Sequence, residues 1–243
     1  MPHQRSCLAC PQSKILYTQI LDLESFLIAN DFAEAYRSLG QLEEALLLLE
    51  QLLRASELVY GQESGPAIKV LIQMSDLNYE LERPQIAYEY GDQALRTSQR
   101  IFGHEDELTL QALRGVGLSL CKLGRLEEAL KLQEQSLIMS KRRFGDEHNL
   151  TVKCMESLAG AYRSSNQFER AISLAKQAMR ICDGNSQKET LTTLSLKTGL
   201  ADCYRRVGRP SEAVKVLEPV LDASRKFVWY VLQSSRVFQV VNF

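Results

Sequence analysis

The fold is decided by the stretch SLGQLEEAL, at residues 38–46, which returns along the chain at a fixed interval. Related stretches are KLGRLEEAL (122–130), SSNQFERAI (164–172) and RVGRPSEAV (206–214), and the cycle between the first two keeps the same register through Glu82 and Ala87. The period is 42 residues, without an insertion over five cycles. The same position of the cycle holds an alanine in all five cycles, at Ala45, Ala87, Ala129, Ala171 and Ala213. Five residues before this alanine, three of the cycles have a glycine, at Gly40, Gly124 and Gly208. A fixed period of this length indicates an array of similar supersecondary units.

A second repeated segment lies between these stretches. It reads YGQESGPAI (60–68), FGHEDELTL (102–110) and FGDEHNLTV (144–152), and its glycines are again 42 residues apart. Each cycle is therefore divided by turn signals into two segments, and the apolar residues in both segments have helical spacing. We expect two helices in each cycle.

The first helix of each cycle carries one small residue within its apolar face, at Ala33, Ser75, Gly117, Ala159 or Ala201. A glycine, or Asn166 in the fourth cycle, then supplies the left-handed backbone position at which a helix ends. Small residues facing the alanine of the second helix, as Ala159 faces Ala171, would let two antiparallel helices cross closely. Such a pair cannot bury both of its faces, so the sequence predicts an all-α array of stacked helix pairs.

The order of small residue, tyrosine, glycine, aromatic or leucine, and alanine resembles the tetratricopeptide (TPR) repeat. The usual TPR period is about 34 residues, and the longer period found here is similar to the variety in kinesin light chains and in fungal nucleotide-binding immune receptors. That variety has a linker resembling L-G-x-x-H-P-D-T-L, which FGDEHNLTV matches at Gly145, His148 and Thr151. The resemblance implies a right-handed superhelical, TPR-like solenoid of five antiparallel helix pairs.

The TPR resemblance covers residues 24–226. It predicts repeats at about 24–65, 66–107, 108–149, 150–191 and 192–226. We expect residues 1–23, which precede the array, to be partly disordered. Residues 227–243 (FVWYVLQSSRVFQVVNF) form an apolar tail. This tail either packs on the final repeat or is a truncated, misassembled terminus.

Composition excludes several classes of protein. The chain has 29 Lys and Arg against 30 Asp and Glu, a formal net charge of -1, which argues against a basic nucleic-acid-binding protein. No apolar run is long enough for a transmembrane helix, and the first residues lack the apolar stretch of a secretory signal. Six cysteines in 243 residues do not make a disulfide framework. A reducing, cytoplasmic location is therefore expected.

The reactive and ligating side chains form no catalytic or metal-binding motif in the sequence. Cys7 and Cys10 make a C-x-x-C pair, but a zinc site would need a second pair at suitable spacing. His104 begins HEDEL and lacks the second histidine of a zinc-protease motif, whereas a linker histidine such as His148 is expected to cap or orient the next helix. Phosphate-binding and nucleophile-elbow motifs are also missing. We expect no enzymatic activity, no cofactor and no metal.

Basic side chains are the strongest candidates for a binding role. In TPR arrays the first helix of each repeat lines a concave inner face, and counting from the small residue places Asn30, Glu34, Ile72, Asp76, Tyr79, Leu118, Cys121 and Gly160 on it. The predicted partner-binding cations on or beside this face are Arg37, Lys69, Arg114, Lys122, Lys153, Arg163, Arg205 and Arg206. Repeats three to five contain six of these cations at or beside the inner positions, but only two anions, Glu156 and Asp202. A groove of one sign favours an oppositely charged ligand, and arginine binds carboxylates bidentately. The alternative is that these are ordinary solvated charges.

Two classes of function are compatible with such an array. The first, which we favour, is a non-catalytic protein–protein interaction scaffold that holds an acidic peptide or helical segment of another protein on its concave face. The alternative is a repeat or sensor fragment of a larger nucleotide-binding signalling protein, which predicts a nucleotide-binding domain encoded immediately upstream. RNA binding is disfavoured because the inner positions lack the interleaved aromatic residues that stack on bases. No membrane partner is expected, and the oligomeric state stays open.

Overall fold

The structure is a computed structural model that describes residues 23–184 and 191–221. Every regular element in these two ranges is an α-helix. The helices are α1 (Leu23–Ser38), α2 (Leu42–Tyr60), α3 (Gly65–Glu80), α4 (Pro84–Phe102), α5 (Glu107–Lys122), α6 (Leu126–Phe144), α7 (Asn149–Ser164), α8 (Phe168–Gly184) and α9 (Leu191–Arg206). A tenth helix, α10, begins at residue 210 and is described to residue 221. The all-α, TPR-like solenoid predicted from the sequence is confirmed.

The chain divides into two compact units. Unit 1 comprises Met1–Arg143 and unit 2 comprises Phe144–Phe243. In unit 1 each of the helices α1 to α4 packs on the next one along the chain, and in unit 2 α7 packs on α8 and α8 on α9. The first helices of neighbouring pairs also touch, α3 against α5 in unit 1 and α7 against α9 in unit 2. The predicted tail, together with Cys7 and Cys10, lies outside the described residues.

Each first helix ends in a left-handed turn, as the glycine positions predict. Gly40, Gly124 and Gly208 have φ of 75°, 78° and 76°, and Asn166 has φ of 60°. The amide of the residue after the turn then donates to a carbonyl near the end of the first helix, for example Gln41 to Tyr36 at 2.9 Å. This bond satisfies a carbonyl that the helix leaves free at its end. Glu82 holds the same position in the second repeat, with φ of 56°, although it is not a glycine.

The repeated alanine lies where the two helices of a pair cross. Ala45, Ala87 and Ala129 are fully buried and Ala171 is 1% exposed. Ser75 Oγ donates a hydrogen bond of 2.7 Å to the carbonyl oxygen of Ala87, so the small residue of α3 does contact the backbone beside the alanine of α4. Ala213 in α10 differs, because it is only half-buried.

The linkers between repeats are fixed by hydrogen bonds from their own side chains. Thr109 Oγ1 donates to the carbonyl oxygen of Gly103, and Thr151 Oγ1 donates to that of Gly145, both at 2.8 Å. In each of the three linkers that the structure describes, one residue caps the following helix by accepting from a backbone N–H, and these residues are Ser64, Asp106 and His148. The capping role predicted for a linker histidine therefore holds for His148, whereas His104 is exposed and does not cap.

The core of unit 1 shows how one pair is covered by the next. Its buried cluster takes Phe26 and Ala33 from α1, Ala45, Leu49 and Leu52 from α2, and Val70, Met74 and Leu77 from α3. The first helix of the second repeat therefore closes the apolar face that the first pair leaves open. Such contacts connect neighbouring repeats only, as expected for a solenoid.

Candidate protein-interaction surface

On the first helices α3, α5 and α7, the side chains that are not buried form one stripe along each helix. We call these stripes, together with Arg37 of α1, the first-helix surface of unit 1 where they lie in that unit, and together with Arg205 and Arg206 of α9 the first-helix surface of unit 2. On α3 the stripe contains Lys69, Gln73, Asp76 and Tyr79, on α5 it contains Gln111, Arg114, Leu118 and Cys121, and on α7 it contains Lys153, Glu156, Gly160 and Arg163. The spacing of three and four residues is that of a single helix face. Two positions predicted for this face are buried instead, Asn30 at 4% exposure and Ile72 at 5%.

Three of the predicted binding cations in unit 1 are held by carboxylates of a neighbouring repeat. Arg37 donates to Glu80 in α3 at 2.5 Å, and Arg114 donates to Asp76 in α3 at 3.2 Å. Lys122 Nζ lies 2.6 Å from both carboxylate oxygens of Glu82 and 5.0 Å from the centre of the Tyr79 ring. The first-helix surface of unit 1 is therefore crossed by ion pairs that join one repeat to the next.

Burial and charge act in opposite directions on Arg37. Burial works to lower the pKa of its guanidinium, whereas the hydrogen bond to Glu80 and the charges of Glu80, Asp76 and Glu34 raise the pKa above its ordinary value. The side chains of Arg114 and Asp76 are only 16% and 19% exposed, which makes theirs the least solvated of the ion pairs among the described residues of this unit. Because their charge is already compensated inside the chain, Arg37, Arg114 and Lys122 attract an external anion less than the sequence pattern suggests. Lys69 makes no ion pair with any residue that the structure describes.

Unit 2 has fewer carboxylates for its cations. Lys153 and Arg163, both on α7, make no ion pair with a described residue. Arg205 and Arg206 on α9 share one carboxylate, since Asp202 Oδ1 lies 2.6 Å from Arg205 Nη2 and 3.9 Å from Arg206 Nε. The two arginine side chains are 72% and 61% exposed. The described part of the first-helix surface of unit 2 therefore carries uncompensated positive charge.

Glycines shape the backbone of this basic surface. The guanidinium of Arg163 lies directly over Gly199 in α9, because a Cβ built on Gly199 would be 2.6 Å from Arg163 Nη1. At Gly160, in the C-terminal half of α7, a Cβ would meet nothing within 4 Å. Gly199 thus allows Arg163 to pack against the neighbouring helix α9. Gly160 leaves the backbone of α7 uncovered between charged side chains.

The described cysteines have no feature of a reactive or ligating site. Burial raises the pKa of the Cys121 thiol to about 11. Burial also raises the pKa of Cys203, although the nearby charge of Arg163 acts in the opposite direction. Cys154 and Cys182 are buried. Within the described ranges no three His, Cys, Asp or Glu side chains come together as metal ligands, and no helix is long and apolar enough to cross a membrane.

Only some of the carboxylates that pair with the cations of unit 1 lie at positions predicted from the sequence. Glu34 and Asp76 occupy predicted inner positions, but Glu80 and Glu82 fall outside the counted offsets. Both pair with cations of other repeats, about one period away along the chain. A search for opposite charges 40 residues apart would have predicted the pairing of Lys122 with Glu82. Counting the charges within single helices does not reveal such a pair.

Comparison with known families agrees with the geometry. Tetratricopeptide repeat models match residues 27–65, 66–137, 108–183 and 195–227. The chain belongs to the tetratricopeptide repeat family. No curated protein matches the chain as a relative.

Solved tetratricopeptide repeat structures share the fold. A protein from Podosopora anserina, described as a kinesin light chain with nearly identical TPR-like repeats, is 22% identical, with a TM-score of 0.63 over 87% of this chain and 97% of that one. BtubC (BKLC) from P. vanneervenii is 16% identical, with a TM-score of 0.64 over 89% of this chain and 84% of that one. A Rap protein complexed with Competence and Sporulation Factor is 12% identical, with a TM-score of 0.73 over 88% of this chain and 57% of that one. The fold is therefore that of kinesin light chain-like TPR arrays.

Proposed function

We propose that this TPR protein is a non-catalytic scaffold that binds an acidic segment of another protein on the first-helix surface of unit 2. The observation that carries the proposal is the difference in charge compensation between the two units. In unit 1, Arg37, Arg114 and Lys122 are paired with carboxylates. In unit 2, Lys153 and Arg163 have no carboxylate partner among the described residues.

The chemistry of these side chains favours carboxylates over other ligands. Guanidinium groups bind a carboxylate through two parallel hydrogen bonds, and several cations on neighbouring helices raise the local concentration of an anionic segment. Arg163 is already seated over Gly199, so less side-chain entropy is lost when it binds. The Rap structure, which was solved with a bound factor, is consistent with this use of the fold.

Charge reversal at two arginines tests the proposal. The probe is a fluorescent, capped peptide of alternating glutamate and glycine, about a dozen residues long, compared with its neutral glutamine counterpart by fluorescence anisotropy. We expect the acidic probe to bind the full chain and to lose at least about tenfold in affinity in Arg163→Glu/Arg205→Glu. Binding should weaken as ionic strength rises.

Arg180→Glu is the matched control. Arg180 is an exposed cation on α8, the second helix of the same repeat, and lies away from the first-helix surface. This variant changes the net charge of the chain in the same direction, so it measures the unspecific effect of charge. If the acidic probe binds no better than the neutral one, or if Arg180→Glu weakens binding as much as Arg163→Glu/Arg205→Glu does, the proposed function is wrong.

A further inference from the structure

Gly160 is the one residue of the α7 stripe whose identity the described fold does not explain. Glycine lowers the stability of a helix interior relative to alanine. The backbone at Gly160 is ordinary helix, and a Cβ there would have open space around it. Neither conformation nor packing among the described residues requires the missing side chain.

Three other glycines inside helices differ from Gly160 in this respect, and a fourth, Gly115, is buried, with room for a Cβ only at ordinary contact distance from Ser75 and Asp76. A Cβ on Gly117 would clash with Gln133, one on Gly199 would clash with Arg163, and one on Gly91 would come within 2.9 Å of Ser75 Oγ. The first helices of the other repeats carry side chains at the position equivalent to Gly160, namely Glu34, Asp76, Leu118 and Asp202. Among the described first-helix stripes, that of α7 is therefore the one with a glycine whose Cβ position is open.

The open backbone lies between the cations that have no carboxylate partner. Along α7 the stripe runs from Lys153 through Glu156 and Gly160 to Arg163, with about one helix turn between successive members. A segment that lies across the stripe at Gly160 can approach the helix backbone closely, with a cation within reach on either side. A side chain at residue 160 would hold that segment away from both.

We infer that the main chain of the acidic partner crosses α7 at Gly160, with its carboxylates directed to Arg163 on one side and Lys153 on the other. The inference rests on the proposed function and specifies where the partner lies. It also explains why a helix-weakening residue is placed in the middle of the stripe. Close approach of a foreign backbone is one of the uses of glycine in proteins.

The test adds side chains at Gly160 without changing charge. Gly160→Ala and Gly160→Leu are compared with Ser173→Leu, which places the same leucine at an exposed position of α8. We expect Gly160→Ala to unfold at the same or a higher temperature than the wild type, since alanine favours the helix. We also expect Gly160→Leu to bind the alternating glutamate–glycine peptide at least about tenfold more weakly, and Ser173→Leu to bind normally.

The outcomes separate this inference from the proposal on which it rests. If charge reversal at Arg163 and Arg205 weakens binding but Gly160→Leu binds as the wild type does, the partner lies elsewhere on the basic surface and the crossing at Gly160 is wrong. If charge reversal has no effect, the proposed function itself fails. Gly160→Ala melting well below the wild type would show that the glycine has a structural role and would also overturn the inference.

Discussion

Gln133 in α6 lies directly across Gly117 in α5, and no methyl group fits between them. A Cβ on Gly117 would be 2.5 Å from Gln133 Nε2, and the same nitrogen donates a hydrogen bond of 3.0 Å to the carbonyl oxygen of Arg114. One repeat later the equivalent positions hold Ala159 and Ala175. The space where the two helices cross is therefore filled by one pair of residues in each of these repeats. A glycine and a glutamine fill it in the third repeat, and two alanines occupy the equivalent positions in the fourth.

This relationship predicts that Gly117→Ala destabilises unit 1. Alanine gains about 1 kcal/mol of helix propensity over glycine. The clash with a fully buried Gln133 costs more, about 1–3 kcal/mol, because the interior has little room to adjust. We expect a net loss of about 1 kcal/mol, measured by urea denaturation together with hydrogen exchange of the α5 amides.

Gly117→Ala/Gln133→Ala is the control, because it reproduces the pair found at Ala159 and Ala175. The double variant should lose less free energy of unfolding than the sum of the two single variants, since the clash has been removed. Additive effects, or a single variant Gly117→Ala more stable than the wild type, would show that the two residues do not compete for space.

Glu82 is strained by its position in the turn after α3. Its φ of 56° is left-handed, whereas the equivalent residues in three other repeats are glycines. A left-handed residue with a side chain costs about 1–2 kcal/mol. The ion pair with Lys122 offsets only part of this cost, because the Glu82 side chain is 72% exposed and exposed pairs contribute at most about 1 kcal/mol.

We therefore expect Glu82→Gly to raise the free energy of unfolding of unit 1 by about 0.5–1 kcal/mol. Thermal and urea denaturation measure the change, and Lys122→Gln measures the part due to the contacts of Lys122 with Glu82 and the Tyr79 ring. Gly124→Ala is the reciprocal control, since it places a side chain at φ of 78° and should destabilise by a similar amount. A loss of stability in Glu82→Gly would mean that the ion pair outweighs the strain.

The sequence predicted what depends on neighbours along the chain, and missed what depends on contacts between repeats. The left-handed turns at Gly40 and Asn166 follow from local backbone chemistry, and so does the cap at His148. The pairing of Arg37 with Glu80 does not follow, because it joins residues 43 positions apart whose side chains meet only when two repeats stack. The same holds for Gln133 over Gly117, where two unusual residues compensate each other.

Arg114 is expected to act in stability rather than in binding. Its side chain and that of Asp76 are both largely buried, so removing one leaves the other charge without compensation. Arg114→Met should lower the free energy of unfolding of unit 1 by about 2 kcal/mol. Affinity for the acidic peptide should stay at the wild-type value.

Asp76→Asn/Arg114→Met provides the matching control, because it removes both charges and should recover part of the lost stability. Denaturation and fluorescence anisotropy on the same variants separate the two roles. Loss of peptide binding in Arg114→Met, in a variant that is still folded, would place the binding surface in unit 1 and contradict the assignment of Arg114.

Stability should fall between pH 9.0 and about 11 because of Cys121. Its pKa rises from 9.0 to about 11 in the folded chain, since burial disfavours the thiolate. Between these two pH values the thiol is deprotonated in the unfolded chain but still protonated in the folded chain. The contribution of the protonated thiol to the free energy of unfolding is therefore fully present below pH 9.0 and is lost as the pH rises toward about 11. In Cys121→Ser, where no thiol titrates, the loss of stability over this interval should be smaller.

The raised pKa of Cys121 also predicts that its thiol reacts slowly with alkylating reagents. Alkylation of Cys121 by iodoacetamide at neutral pH should be much slower than that of a free cysteine, because little thiolate is present. Peptide mass spectrometry of the folded protein, with the unfolded protein as the reference, measures the rate at this residue. Equal rates in the two states would contradict the raised pKa.

His148 stabilises the start of α7 in two ways. Its Nδ1 accepts the N–H of Leu150 at 3.3 Å, and its ring stacks on Phe144 with 4.6 Å between the ring centres. The first contact satisfies a free amide at the helix start and contributes about 1 kcal/mol, and the second contributes a similar amount. His148→Ala removes both and should lower the free energy of unfolding of unit 2 by about 2 kcal/mol.

His148→Asp separates the two contributions, because aspartate is the cap at the equivalent Asp106 but has no ring to stack. This variant should keep the slow hydrogen exchange of the Leu150 amide and lose only the part of the stability that comes from Phe144. Since the α7 stripe bearing Lys153 and Arg163 begins one turn later, weakening the cap should also loosen the proposed binding surface. If His148→Asp exchanged as fast as His148→Ala at Leu150, the histidine would act through stacking alone, and its role as the cap of α7 would be wrong.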